Sequence, residues 1–349
     1  MISFKAINFR IASLRLASLF VILLLCSAAL ASQLINGAGA TFPYPLYSKW
    51  FSEYQKIDPK TQINYQSIGS GGGIRQFTEK TVDFGATDTP MSQEQLNKSP
   101  ESILHIPTVL GAVALTYHIT GVPKSGLKLT PSIISDLFLG KIQKWNDPKI
   151  AQLNPQISLP DESVIIVRRS DGSGTTAVFT DYLSKVSPEW KQKVGSATSV
   201  RWPVGLGGKG NEGIAGLIKQ TPGTLGYVEL VYAENNHLSY AAIQNKSGDF
   251  ILPTVKAVTA AADSMKGKIP EDFRVSITDP AGKNAYPISS FTYILVYAKM
   301  AKEKGQSLVQ FLHWAMKDGQ SYAENLHYSP LPQSLAKRVD KKISEISLR

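Results

Sequence analysis

Four β-branched residues, Val164, Ile165, Ile166 and Val167, run in succession inside the stretch 163–169, and Val178, Phe179, Tyr182, Leu183 and Val186 then recur at helical spacing. The first run reads as a strand covered on both faces and the second as a helix with one apolar stripe. A strand buried on both sides needs helices above and below it, so this pair of segments constrains the fold more than any bulk property of the chain. The same alternation recurs along the sequence. Residues 44–57 place Leu46, Tyr47, Trp50, Phe51 and Tyr54 on one helical face, and residues 61–68 and 82–86 read as strands. Residues 106–119 form a long apolar extended stretch with Gly111 inside it, and Ile133, Ile134, Leu137 and Phe138 mark a helix stopped by Gly140. Further strands are expected at 225–230, 274–277 and 288–297, and a helix over 302–317. The pattern predicts an α/β fold of mainly parallel sheets with helices on both faces.

The N-terminus sets the compartment. Lys5, Arg10 and Arg15 precede an apolar stretch from Leu16 to Ala31 that closes on Ala29-Leu30-Ala31. A basic start, an apolar centre and an Ala-x-Ala end predict a secretory signal peptide over 1–31, cleaved between Ala31 and Ser32. Cys26 is the only cysteine, and the leucines before it do not suit a lipidation site. Residues 1–31 hold three of the 37 basic residues and none of the 27 acidic ones, so the exported chain has a net charge of +7 and no disulfide. About 318 residues bury enough surface to fold without one. The excess positive charge is dispersed, and the densest stretch, 337–342, is interrupted by Asp340. That distribution favours attraction of small anions over nucleic-acid binding, which needs a concentrated basic stripe.

In parallel sheets, ligands bind beyond the carboxyl ends of the strands, where loops enter helices. Three Ser/Thr/Gly clusters stand at such junctions: 37–42 (Gly-Ala-Gly-Ala-Thr-Phe), 69–73 (Gly-Ser-Gly-Gly-Gly) and 171–176 (Asp-Gly-Ser-Gly-Thr-Thr). Each offers backbone N–H groups, hydroxyls, and glycines that let a ligand approach the backbone. Singly, each reads more readily as a helix-starting turn. Together, with Arg168 and Arg169 ending the neighbouring strand, they suit an oxyanion. Strand alternation directs only one of those two arginines to a given face. Asp171 is spaced to pair with Arg169, which spacing alone also allows as a plain surface ion pair. Asp88 ends the strand around 82–86 and by default would cap the turn that follows.

Six motifs in series carry a resemblance. These are the clusters at 37–43 and 69–73, Val-Asp-Phe-Gly-Ala-Thr-Asp at 82–88, Leu-Gly-Lys-Ile-Gln-Lys-Trp at 139–145, Arg-Arg-Ser-Asp-Gly-Ser-Gly-Thr at 168–175 and Gly-Leu-Gly-Gly-Lys-Gly-Asn-Glu-Gly at 205–213. From about residue 34 to its end, the chain resembles the PstS family of periplasmic phosphate-binding proteins. The resemblance implies a two-lobed, type II solute-binding fold with a two-strand hinge, residues 32–108 and 280–349 forming one lobe and 109–279 the other. It also implies phosphate ligands at Thr41, Phe42 (through its backbone N–H), Ser70, Asp88, Arg169, Ser173, Gly174 and Thr175, with Asp171 holding the arginine. Gly71 and Thr87 stand where the family pattern has serine, at positions that are not ligands. The implied protein is a periplasmic monomer when free. It binds inorganic phosphate, delivers it to the membrane permease subunits of an ABC transporter, needs no cofactor or metal, and has no enzymatic activity.

An anion site with a carboxylate in it has a chemical reading. Hydrogen phosphate carries a proton that needs an acceptor, whereas sulfate has none to give. Sites built on a required hydrogen bond discriminate by about 10⁴–10⁵-fold against an isostere lacking it. The alternatives are a binder of another tetrahedral oxyanion such as sulfate, or a secreted phosphate-ester hydrolase. For the hydrolase, neither Ser70 nor Ser173 sits in a Gly-x-Ser-x-Gly elbow, and the five histidines are scattered without metal-ligand spacing. Gly208-Lys209-Gly210-Asn211-Glu212-Gly213, with Glu229 downstream, matches a dinucleotide fingerprint. Two glycines interrupt the short helix after it, and the match reads as accidental.

Overall fold

The computed structural model describes residues 33–122 and 124–349. The expected signal peptide, 1–31, lies outside the described residues. β1 (Gln33–Gly39), α1 (Tyr44–Ile57), β2 (Thr61–Ser67), α2 (Ser70–Thr78) and β3 (Phe84–Thr87) follow one another as strand and helix, and lead into a 16-residue strand, β4 (Ile103–His118). The middle of the chain contributes β5 (Ile165–Arg169), α3 (Gly174–Val186), β6 (Leu206–Gly208), α4 (Gly210–Gln220) and β7 (Thr224–Glu229). The chain then returns through β8 (Ser289–Tyr297) and α5 (Lys302–Met316).

The strands join one sheet in the order β2-β1-β3-β8-β4-β7-β5-β6, with Ser239–Tyr240 also pairing with β4. The parallel expectation holds on both flanks, where β1 pairs with β2 and β3, and β5 with β6 and β7. The centre is antiparallel: β8 runs against β3 and β4, and β4 against β7. β4 changes partners midway, ending on β8 at Ala112 opposite Ser289 and starting on β7 at Val113 opposite Glu229. It is buried along nearly its whole length, as a strand covered on both faces must be. Gly111 stands at this junction because a Cβ there would lie 2.6 Å from the Phe42 ring and 2.7 Å from a Glu229 carboxylate oxygen.

Helix α1 buries the five residues its spacing selected. Phe51 and Tyr54 meet Phe311 of α5 with ring centroids 5.4 and 5.3 Å apart, and Trp50 donates its indole N–H to the Gly319 carbonyl at 2.7 Å. Full burial of side chains of this size stabilises by about 1.5–3 kcal/mol each, which fixes α1 and the loop before it against the sheet. Close backbone approach does the same for α2: a Cβ on Gly73 would stand 2.3 Å from the Gly39 Cα.

One expected strand is absent. Residues 274–277 are irregular, although their alternation resembles a strand. Their polar groups are satisfied otherwise. The Tyr293 hydroxyl donates to the carbonyls of Phe273 and Val275, and Ser276 and Thr278 donate to Asp181. With these side chains as partners the segment is held without joining a strand ladder.

Candidate functional site

The parallel strands on both flanks of the sheet turn their carboxyl ends toward one place. The β1–α1 turn brings Thr41 and Phe42, the start of α2 brings Ser70, the end of β3 brings Asp88, and the β5–α3 turn brings Arg169 through Thr175. The cluster is closed to solvent: Thr41, Phe42, Ser70, Asp88, Arg169, Ser173 and Thr175 are at most 3% exposed, and Gly174 is buried with them. The two sides touch directly. The Gly71 N–H donates to the Gly172 carbonyl at 2.8 Å, and the backbones are so close that a Cβ on either glycine would stand 3.1 Å from the other's Cα. Gly174 presents a bare Cα where a Cβ would fall 2.3 Å from Ser70 Oγ and 2.4 Å from Asp88 Oδ2.

Arg169 is held as its spacing to Asp171 suggested. Its Nε donates to Asp171 Oδ1 at 2.7 Å and its Nη2 to Oδ2 at 2.5 Å, while Nη1 reaches Thr175 Oγ1 at 3.4 Å. A guanidinium has five N–H groups, so one hydrogen remains on each terminal nitrogen, a fork suited to two oxygens of one anion. Burial raises the Asp171 carboxyl, but Arg169 and the Gly210 N–H, at 3.1 Å, outweigh it and hold the group below the usual carboxylate range. Arg168, one residue earlier, is not part of this cluster.

At Ser173 the two readings of a Ser/Gly cluster coincide. Its Oγ caps α3 by accepting the Thr176 N–H at 3.0 Å, which leaves its own hydrogen free to donate. The N–H groups of Gly174 and Thr175 open the helix and have no partner within it. Ser70 Oγ accepts the Asp88 N–H at 3.3 Å and lies beside the Asp88 carboxyl. Phe42 leaves its N–H without a protein acceptor among the described residues, while its carbonyl accepts the Tyr328 hydroxyl at 2.6 Å.

Asp88 is the one acceptor amid these donors. It does not cap the following turn, since Ser92 fills that role through a capping box with Gln95. Its Oδ1 accepts from Thr292 at 2.9 Å and its backbone carbonyl from Ser290 at 2.9 Å. Oδ2 is buried and has no hydrogen-bond partner among the described residues. Burial lifts the carboxyl from an ordinary 3.8 to about 7, against the opposing pull of Thr292, Arg169 and Ser70. An unpartnered carboxylate oxygen in a dry cluster of donors fits a ligand that brings a hydrogen of its own.

The residues that spacing did not single out are those that arrive from far along the chain. Thr292 comes from β8. Asn211 comes from the Gly-x-Gly-x-x-Gly segment, whose match to a dinucleotide fingerprint reads as accidental but whose place between β6 and α4 brings it to the cluster. Its Nδ2 reaches Thr41 Oγ1 at 2.7 Å and Thr175 Oγ1 at 3.2 Å. Glu229 caps the helix Leu230–Asn235, accepting the Val231 N–H at 2.6 Å, and burial with the nearby Asp88 charge pushes its carboxyl well above the usual range.

The histidines sit elsewhere. His105 accepts the Met91 N–H and is held neutral by burial, its pKa pushed down to about 4. His118 is bonded to the Ile218 carbonyl, and His313 to Asp340. Among the described residues no group of three His, Cys, Asp or Glu side chains could hold a metal ion, and no helix is long and apolar enough to cross a membrane. A groove of about 810 Å³ beside Trp314, Leu331 and Lys337 shares no residue with the cluster. Enclosure on all sides, and not groove size, distinguishes the candidate site.

Comparison with known proteins bears on the same region. Residues 27–318 match the PBP superfamily domain. The chain is 45% identical over 308 residues to the phosphate-binding protein PstS of Xylella fastidiosa, covering 88% of this chain and 84% of that one. It is 42% identical over 306 residues to PstS of Haemophilus influenzae, covering 87% and 91%. Its fold is similar to that of PfluDING, a high-affinity periplasmic phosphate-binding protein bound with phosphate, at a TM-score of 0.69 and 18% identity over 91% of this chain and 99% of that one. The fold is thus that of a periplasmic binding protein, and the chain belongs to the PstS family of phosphate-binding proteins.

Proposed function

We propose that the chain binds one inorganic phosphate ion between Thr41, Phe42, Ser70 and Asp88 on one side and Arg169, Ser173, Gly174 and Thr175 on the other. The observation that carries this reading is Asp88 Oδ2, buried and without a hydrogen-bond partner among the described residues, in a cluster rich in N–H and hydroxyl donors. Hydrogen phosphate supplies the missing hydrogen and takes up the donors with its remaining oxygens; sulfate supplies none. Arg169 is already half-neutralised by Asp171, so local dipoles from helix starts and hydroxyls carry much of the dianion's charge.

The site sits between two lobes, 32–108 with 280–349 and 109–279. The change of partners along β4 at Ala112 and Val113 supports this division, because a shared strand that belongs to two sheet halves can flex between them. Phosphate bridges both halves and stabilises their closed arrangement. The chain acts in the periplasm after cleavage near Ala31, and hands phosphate to the permease subunits of an ABC transporter as a monomer without cofactor. It is a binding protein and not a hydrolase: neither Ser70 nor Ser173 is bonded to a histidine among the described residues.

Calorimetric titration of phosphate-stripped protein tests the reading. One phosphate per chain is expected, with sulfate binding at least about tenfold more weakly near pH 8. Equal heats from the two anions would make this a general oxyanion site.

A further inference from the structure

Asn211 lies fully buried at the start of α4, with its amide between two hydroxyls that come from opposite sides of the cluster. Its orientation is fixed by chemistry: the Glu229 N–H, 2.9 Å away, can only donate, so the amide atom facing it is the oxygen. The nitrogen therefore faces Thr41 Oγ1 at 2.7 Å and Thr175 Oγ1 at 3.2 Å, one hydrogen for each. Each of these oxygens accepts from a second group that can only donate. Thr41 Oγ1 takes the backbone N–H of Asn211 at 3.2 Å, and Thr175 Oγ1 takes Arg169 Nη1 at 3.4 Å. A hydroxyl has two acceptor positions and one donor hydrogen. With both acceptor positions filled on both threonines, only the hydrogens remain, and neither is given to an acceptor among the described residues.

We propose that Asn211 is a positioning residue that turns the hydroxyl hydrogens of Thr41 and Thr175 toward the bound anion and commits both threonines to donation. The inference rests on the reading of these two threonines as phosphate ligands. A free hydroxyl can turn either a lone pair or a hydrogen toward a ligand. Asn211 removes that choice at both threonines, so neither can accept a ligand's proton, and Asp88 is favoured as its acceptor.

The test is a pair of substitution cycles read by phosphate affinity. Asn211→Asp keeps the oxygen that faces Glu229, and the melting temperature without phosphate checks that the variant is folded. The substitution replaces the amide nitrogen by an acceptor, to which the threonine hydroxyls then turn. In the parent, Thr41→Val removes a hydrogen bond to a charged ligand and should weaken phosphate about tenfold or more. In the Asn211→Asp background the same change should cost less than about threefold, or improve binding, because the hydroxyl no longer faces phosphate with its hydrogen. Thr175→Val should behave alike. An equal cost of Thr41→Val in both backgrounds would overturn the proposal, since a bare charge at 211 or a merely structural Asn211 leaves the hydroxyl's contribution unchanged. Should the Asp variant fail to fold, Asn211→Ala serves as the second background, with the same reduced cost expected and the same equality overturning it. A parent that takes up no phosphate overturns the phosphate reading and this inference with it; a parent that binds, with equal costs in both backgrounds, overturns this inference alone.

Discussion

Replacing Asp88 with asparagine separates a phosphate site from a general oxyanion site. Sulfate offers no hydrogen to Oδ2, so it enters the parent site only when a proton is placed on the carboxyl. Above the carboxyl's pKa that proton costs tenfold per pH unit, about 1.4 kcal/mol. In the closed arrangement burial has already raised Asp88 to about 7, so the penalty at pH 8 counted from there is small, about tenfold. Counted from the ordinary value of 3.8, which an opened and rehydrated cleft restores, it is about four pH units, or roughly 10⁴-fold and 5–6 kcal/mol. These two figures bracket the expected discrimination. The substituted amide keeps an acceptor for Thr292 and places an N–H where Oδ2 stood, so sulfate needs no proton. In competition calorimetry the parent's sulfate affinity should fall tenfold per unit between about pH 7 and 9, while that of the variant stays flat and exceeds the parent's by about ten- to 10⁴-fold at pH 8. Phosphate, which brings its own proton as hydrogen phosphate, should lose about tenfold in the variant through its weakened hydrogen bond to residue 88. A folded Asp88→Asn protein whose sulfate affinity matches the parent's at pH 8 would refute the argument. The sign is also readable in stability: the phosphate-free native state holds a proton that the unfolded chain releases between pH 3.8 and about 7, so the parent loses stability relative to the variant as pH rises through that window.

Two further outcomes follow from the contact between the two sides of the site. Gly174→Ala should leave helix α3 intact or slightly firmer, since Ala favours helix over Gly by about 1 kcal/mol, yet cut phosphate affinity by about a hundredfold, because its Cβ would meet Ser70 Oγ and Asp88 Oδ2 inside 2.5 Å; unchanged affinity by titration would mean that the two sides do not close onto each other in the bound state. Small-angle scattering from phosphate-stripped protein should show a smaller radius of gyration once phosphate is added, and an unchanged radius would count against a hinge that closes on the ligand.

What the sequence determined by itself is local. The apolar spacing of residues 44–57 and 175–186 placed two helices correctly because a helix's buried stripe is written at i, i+3 and i+4. Arg169 and Asp171, two residues apart at a strand end, meet in the folded protein because the short turn between them leaves their side chains on one side. Ser173 was legible as a cap for the same reason, its partner being three residues on. The tertiary structure decided whatever depended on distant partners. Period-2 patterning does not record strand direction, so the antiparallel run of β8 and β4 at the centre of the sheet could not be read, nor could the loss of residues 274–277 to side-chain hydrogen bonds. Asp88 meets Thr292 across 204 residues and Thr41 meets Asn211 across 170. Which hydroxyl of a ligand cluster is committed to donate, and whether a carboxylate oxygen is left unpaired and dry, are set by those meetings, because burial and hydrogen-bond saturation are properties of a closed packing and not of any segment within it.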